Sequence, residues 1–289
     1  MSTILLTGAT SGLGHAAARL LLRDPGIRLV VGARDPDDPR LADLPRDRVD
    51  RHALDLAQLA SVHRFASAVA APLSAVALNA GIQVTGGLTR TGDGYETDLT
   101  VNHLAHAALI AALAPKLDPR AVIVTTGSGT HSPDDRLARL FGFRGGRPAP
   151  MAEMAAGVGD DGPQADRDRY ATSKLAQTAW TLGMARRDPA RRWLVFDPGL
   201  MPGTALARDR GAAERFVWTV ILPRLRPLIR GISSADASAH GLVHLLTDRT
   251  VPSGSAIGHD DRPAILSAPA RDPAFQDAVV TETTALLAG

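Results

Sequence analysis

Residues 3–14 read TILLTGATSGLG. The chain opens with a short aliphatic run, Ile4 to Leu6, turns through glycines at 8, 12 and 14, and continues as HAAARLLL with apolar residues at helical intervals. A strand, a glycine turn and a helix in that order decide the fold class. Glycines there allow a tight turn and let backbone N–H groups approach a pyrophosphate at the helix N-terminus, whose dipole favours anions. The spacing Gly-x-x-x-Gly-x-Gly differs from the commoner dinucleotide fingerprint, so taken alone it fits a nucleotide cradle or a plain strand–helix turn.

Working outward, RLVVGA (28–33), AVALNA (75–80), AVIVTTG (121–127) and RWLVFDPG (192–199) repeat the apolar run. Segments of helical period, such as 12–24, 58–70 and 98–117, separate them. Continuous apolar strands alternating with helices predict a parallel sheet covered on both faces: a Rossmann-like, doubly wound α/β fold in one domain spanning 1–289. Two stretches interrupt the alternation, 129–169, rich in Gly, Pro and Asp, and 204–232, apolar and studded with arginine.

The composition narrows the class of function. Apolar residues make up 45% and charged residues 21%, the balance of a globular protein. The net charge of +2 is scattered along the chain, which gives no footprint for nucleic acid. With no cysteine there is neither a disulfide nor a thiolate metal site. No apolar run reaches the roughly 20 residues of a membrane span, and the N-terminus lacks the basic region of a signal peptide. A cytoplasmic protein is the expectation.

The stretch DRYATSKLAQ (168–177) holds one of two tyrosines, Tyr170, and one of two lysines, Lys174, in a chain that otherwise uses arginine. Four residues apart on a predicted helix, they share a face. A neighbouring ammonium favours a phenolate and would lower a tyrosine pKa towards the range of a general acid or base. At the end of the second strand, VVGARD places Ala33 where a ribose-binding acid is expected, with Arg34 after it. Space and positive charge there suit a 2′-phosphate and point to NADP(H), although Asp35 could act as a displaced ribose ligand.

Taken together, these motifs resemble the short-chain dehydrogenase/reductase family over about residues 3–260. The resemblance rests on TGATSGLG, LDL (54–56), LNAGI (78–82), VNHLAHAAL (101–109), VIVTTGSGTH (122–131), YATSK and DPGLMPGT (197–204). It implies a catalytic set of Asn102, Ser128, Tyr170 and Lys174. It also implies cofactor contacts from Gly8, Ser11, Gly12, Leu13 and Gly14, from Arg34, from Asp55 and Leu56, and from Asn79, Ala80 and Gly81. Tyr170, Lys174, Pro198, Gly199 and Thr204 would complete the cofactor site. Ala77 departs from the frequent asparagine of the fourth-strand motif, and one or two extra residues precede Thr204. Ser128 lies 42 positions before Tyr170, which an insertion explains. The insertion and the NHLAH wording are similar to the retinol-dehydrogenase-like and protochlorophyllide-reductase-like branches, without the latter's cysteine after the proline–glycine turn.

The implied reaction is hydride exchange between nicotinamide and a carbonyl or alcohol. Tyr170 would handle the proton, Ser128 would hold the oxygen, Lys174 would tune the tyrosine and bind ribose, and Asn102 would support a relaying water. A non-catalytic NADP sensor on the same fold is the alternative, and the four intact residues favour the enzyme. A dehydratase or epimerase is disfavoured because the chain lacks the large C-terminal substrate domain of such relatives. His103 and His106 read as packing rather than a metal pair, and His131 as a loop residue. FVWTVILPRLRPLIRG (216–231) reads first as a substrate lid, with a subunit contact or a membrane-surface element left open. Phe216, Trp218 and the two excursions would together wall in a bulky, apolar small-molecule substrate. Homo-oligomerisation is left open.

Overall fold

The computed structural model describes residues 2–70, 72–159, 162–201 and 231–289. Seven parallel strands form one sheet in the order β3-β2-β1-β4-β5-β6-β7. They are β1 (Ser2–Thr7), β2 (Ile27–Ala33), β3 (Val49–Ala53), β4 (Leu73–Leu78), β5 (Leu117–Thr126), β6 (Arg192–Asp197) and β7 (Ala256–Gly258). The order reverses between β1 and β4, so their carboxyl ends diverge and open a crevice there. This is the expected Rossmann-like architecture. β3 and β7, the two edge strands, were not foreseen.

Strand alternation divides the core in two. Leu5, Val30, Val76 and Ile123 point into one layer, formed by α2 (Leu59–Ala68), α4 (Ala105–Leu113), α7 (Pro163–Arg187) and α10 (Pro273–Ala288). Ile4, Leu6, Leu29, Val31 and Val124 point into the other, formed by α1 (Gly12–Leu21) and α8 (Ala235–Thr247).

Helix α7 carries Tyr170 and Lys174, and it is buried on nearly all sides from Ala165 to Gly183. The sheet lies on one side and α10 on the other. At Gly183 a Cβ would stand 2.8 Å from Val280 Cγ2, so glycine permits the close crossing of α10.

The first interruption is shorter than expected, because α7 begins at Pro163, seven residues before Tyr170. Between Ser128 and Pro163 lie α5 (Arg136–Leu140) and α6 (Met151–Ala156). Both ends of the α5 loop are tied down: Gly146 N–H donates to the His131 carbonyl (3.0 Å) and Arg147 N–H to Thr172 Oγ1 (3.0 Å). Met151 and Met154 join the main core, so α6 belongs to the scaffold. Of the second interruption, 204–232, the described residues are Gly231 and Ile232, and Leu200 N–H donates to the Gly231 carbonyl (2.8 Å). Thr204 and the lid residues Phe216 and Trp218 lie outside the described residues.

Candidate active site

The glycine turn is shaped by contacts that leave no room for side chains. Gly8 has φ 75° and Gly12 φ 55°, and a Cβ on Gly14 would stand 2.2 Å from the Gly8 carbonyl oxygen. Ser11 occupies the N-cap of α1, yet its side chain makes no capping bond and no acid lies in the first turn. The free amides of that turn therefore face the crevice, a setting that fits a dinucleotide pyrophosphate.

That crevice is a cleft of ≈ 1310 Å³. From the expected set it is lined by Gly8, Ser11, Gly12, Leu13, Gly14, Arg34, Asp55, Leu56, Asn79, Ala80, Gly81, Ser128, Tyr170, Lys174, Pro198 and Gly199. Sixteen positions scattered along the sequence thus share one wall system. Arg34 is exposed and makes no ion pair with a described residue, while Asp35 caps the Asp37 amide (2.9 Å) and does not line the cleft. Arg40, which sequence reasoning missed, also lines it, and is paired with Asp38 at 2.6 Å.

Asn79 joins two strand ends: its Nδ2 donates to the Thr7 carbonyl (3.1 Å) and its Oδ1 accepts from Thr126 Oγ1 (3.3 Å). Asp55 accepts from Ala57 N–H (3.0 Å) and Gln58 Nε2 (2.6 Å), which fixes its carboxylate at the cleft. Gly199 has φ 69°, and a Cβ there would meet His259 Nδ1 at 2.7 Å.

Asn102 stands behind the wall, in a π turn (Thr100–Leu104) that follows α3 (Thr97–Leu99). Its amide brackets Ile82, accepting from the backbone N–H (2.8 Å) and donating to the carbonyl (2.9 Å), and donates to Ser173 Oγ as well (2.9 Å). A Cβ on Gly81 would meet Asn102 Oδ1 at 3.0 Å and Lys174 Nζ at 3.5 Å, so glycine lets the chain pass between them. Asp98, one turn earlier, accepts from Val84 N–H (2.9 Å), and Asp166 of α7 accepts from Gly86 and Gly87. The loop after β4 is thereby clamped from both helices.

At the reacting end, Ser128 caps a short 3₁₀ turn. Thr130 supplies both an N–H (3.4 Å) and an O–H (2.9 Å) to Ser128 Oγ, leaving the serine's own hydrogen for its bond to Tyr170. Thr130 therefore orients Ser128. Tyr170 is 7% exposed and lies beneath Phe143, ring centroids 6.0 Å apart. Lys174 is buried as well, and its Nζ donates to the Thr126 carbonyl (2.9 Å) and to Gln177 Oε1 (3.1 Å).

The electrostatics correct one expectation. Burial raises the Tyr170 pKa; the Ser128 hydrogen bond opposes it, and the charges of Asp98 and Asp197 add to it. Lys174 is not among the groups that shift the phenol; its ammonium is engaged by the Thr126 carbonyl and Gln177 instead. Lys174 is itself lowered to about 8 by burial, against the pull of Asp98 and Asp197. Asp197, also unforeseen, lines the cleft and accepts from Gly199 N–H (3.0 Å).

The histidines are buried and bonded separately. His103 Nε2 meets Thr283 Oγ1 (2.8 Å), His106 Nε2 meets Thr7 Oγ1 (3.3 Å), and His131 Nδ1 meets Ser267 Oγ (3.0 Å). His131 does not line the cleft. No group of three or more His, Cys, Asp or Glu placed to hold a metal occurs among the described residues. None of their helices is long and apolar enough to cross a membrane.

Residues 2–133 match the model of the short chain dehydrogenase family. Polyprenol dehydrogenase of Mus musculus is 31% identical over 265 residues, covering 79% of this chain and 72% of that protein. The crystal structure of an uncharacterized protein from Mycobacterium paratuberculosis superimposes with a TM-score of 0.73 at 26% identity, covering 99% of this chain and 93% of that one. The structure of an NADPH-bound carbonyl reductase from chicken fatty liver shares the fold, with a TM-score of 0.64 at 19% identity over 92% of this chain and 99% of that one.

Proposed function

The chain belongs to the short-chain dehydrogenase/reductase family of oxidoreductases, and on that footing we propose that it is an NADP(H)-dependent enzyme that interconverts an apolar, bulky carbonyl compound and its alcohol. The observation that carries this reading is the convergence of Ser128, Tyr170 and Lys174 on the cleft that the glycine turn opens.

NADPH, when bound, supplies the hydride. The residues of the chain do the rest. Ser128, its oxygen saturated by Thr130, turns its hydrogen from Tyr170 to the substrate oxygen when substrate is bound. Tyr170 remains a phenol because burial disfavours its charged form, so it arrives at the carbonyl carrying the proton that reduction requires. Lys174 holds positive charge beside the phenolate that forms. Arg34, which makes no ion pair with a described residue, offers the 2′-phosphate a guanidinium in the cleft that Arg40 also lines, which favours NADP over NAD.

The substrate class follows from the far wall. Leu137, Phe141, Phe143, Leu200 and Ile265 give the cleft an apolar flank beyond Tyr170, a flank suited to a large ketone or aldehyde. A relative named polyprenol dehydrogenase fits the same substrate character.

The test is a panel of ketones and aldehydes with NADPH absorbance as the signal. Wild type should consume NADPH with the larger apolar members, and Tyr170→Phe should lose most turnover while keeping cofactor affinity. Tight NADPH binding without turnover of any member would instead support a sensor.

A further inference from the structure

Next to Lys174 lies a chain of buried polar groups that the reaction above does not use and whose far member, Thr7, also borders the cleft. Gln177 is 1% exposed and His106 1% exposed. Gln177 Oε1 accepts from Lys174 Nζ at 3.1 Å, Gln177 Nε2 approaches His106 Nδ1 at 3.4 Å, and His106 Nε2 lies 3.3 Å from Thr7 Oγ1. Thr7 Oγ1 in turn donates to the Ala77 carbonyl at 3.3 Å. The chain of contacts thus runs from α7 through α4 to β1 and β4.

Donor and acceptor counting fixes the end of it nearest the lysine. A lysine ammonium is a donor only, so the Gln177 carbonyl must face it and the Gln177 amide must face His106. Thr7 Oγ1 accepts from the Asn79 and Ala80 amides (3.0 Å each), so both its lone pairs are taken and only its hydrogen, shared with the Ala77 carbonyl, can meet His106 Nε2. Burial, and after it the charge of Lys174, lowers the His106 pKa to about 3, so the ring is neutral and has one hydrogen to place. That hydrogen belongs on Nδ1, against the Asn102 carbonyl at 3.3 Å. His106 is thereby satisfied by Thr7 and Asn102, and Gln177 is the member of the chain that bonds the lysine.

Taking Lys174 as the cationic partner of Tyr170 from the reading above, we propose that Gln177 is a positioning residue that holds Lys174 as an ammonium and sets the pH at which it deprotonates. The other groups facing Lys174 are the Thr126 carbonyl at the end of β5, Tyr170 one turn earlier on α7, Asp98 from α3 and Asp197 from the end of β6. Both carboxyls pull its pKa up against burial, so removing an acceptor at Gln177 weakens the hold on the proton and adding a negative charge strengthens it.

The chain has two lysines, Lys116 and Lys174, which makes the titration directly observable. The full chain labelled with ¹³Cε-lysine gives two ¹³C–¹H signals, assigned with Lys116→Arg and followed through a pH series. Gln177→Leu should move the Lys174 midpoint down by about half a pH unit or more, and Gln177→Glu, which keeps the side-chain size, should move it up. Lys116, which donates to the carbonyls of Ala66 and Ser67, should stay in place in every variant. An unmoved Lys174 midpoint in Gln177→Glu, or shifts of the same sign in Gln177→Glu and Gln177→Leu, would overturn the proposal; if Gln177→Leu does not fold, Gln177→Glu decides. The readout needs no turnover, so an enzyme inactive on every carbonyl compound would count against the proposed function and leave this assignment standing.

Discussion

Arg34 is exposed at the end of β2, faces the cleft and makes no ion pair with a described residue. Its guanidinium is free to pair with a 2′-phosphate, so Arg34→Ala should weaken NADPH by about 1.5–3 kcal/mol, the worth of a charge-assisted contact, and NADH far less. Equal losses of affinity for the two cofactors, measured by fluorescence titration, would show that the arginine reads another feature. Arg34 was legible as a cleft residue because it follows a strand at a fixed distance from the glycine turn. So were Tyr170 and Lys174, whose rarity and spacing are one-dimensional facts. Thr130 and Gln177 were not legible as site residues. Each acts by touching a functional side chain from another turn or another element, and a generic polar residue in sequence carries no mark of that contact. The depressed tyrosine was misjudged for the same reason, since burial on all sides of α7 is a property of packing that a shared helix face does not reveal.

At the scale of elements, α5 and the turn after it place Phe143 over Tyr170. Phe143 is buried and packs with Ala138, Tyr170 and Ala171. Phe143→Ala should raise KM and lower kcat/KM for large apolar ketones while leaving NADPH affinity unchanged; an unaltered ranking of large over small substrates would remove this wall from the substrate site. The point substitution is a cleaner probe than excision of the insertion, because α6 within it is part of the core. Helix α3 carries a different test. Burial, and then the charge of Glu96, push the Asp98 carboxyl up to about 8 from 3.8, and its Oδ2 has no hydrogen-bond partner among the described residues. Folded Asp98 thus keeps its proton where the unfolded chain has lost it, so its contribution to stability is full below about 3.8 and is lost as the pH rises through about 8. Asp98→Asn should gain Tm over wild type as the pH climbs across that window, with the widest gap at its alkaline end; parallel Tm curves for the two proteins would show that Asp98 does not titrate there. Strand β3, VDRHA, escaped sequence reading because an edge strand with one neighbour tolerates charged and polar residues. Strand β7 has three residues, too few for any period to appear.

The whole molecule is a sheet whose switch point collects groups from residue 7 to residue 265 along one cleft. Its architecture was legible because five of the seven strands are apolar runs buried on both faces, and a parallel sheet with helices on either side is what such runs can build. The docking of α10 against α7 was not, since it depends on the absence of a side chain at Gly183 as much as on any residue present. With scaffold and cleft in place, the central claim is that a hydride passes from NADPH to the carbon of an apolar carbonyl compound while Tyr170 delivers the proton. The most direct measurement uses NADPH deuterated at the transferred position together with a bulky apolar ketone, and mass spectrometry of the product. The account predicts an alcohol carrying one deuterium on the carbinol carbon, formed by wild type and nearly absent with Tyr170→Phe. An alcohol without the label, or labelled alcohol formed equally well by Tyr170→Phe, would contradict it.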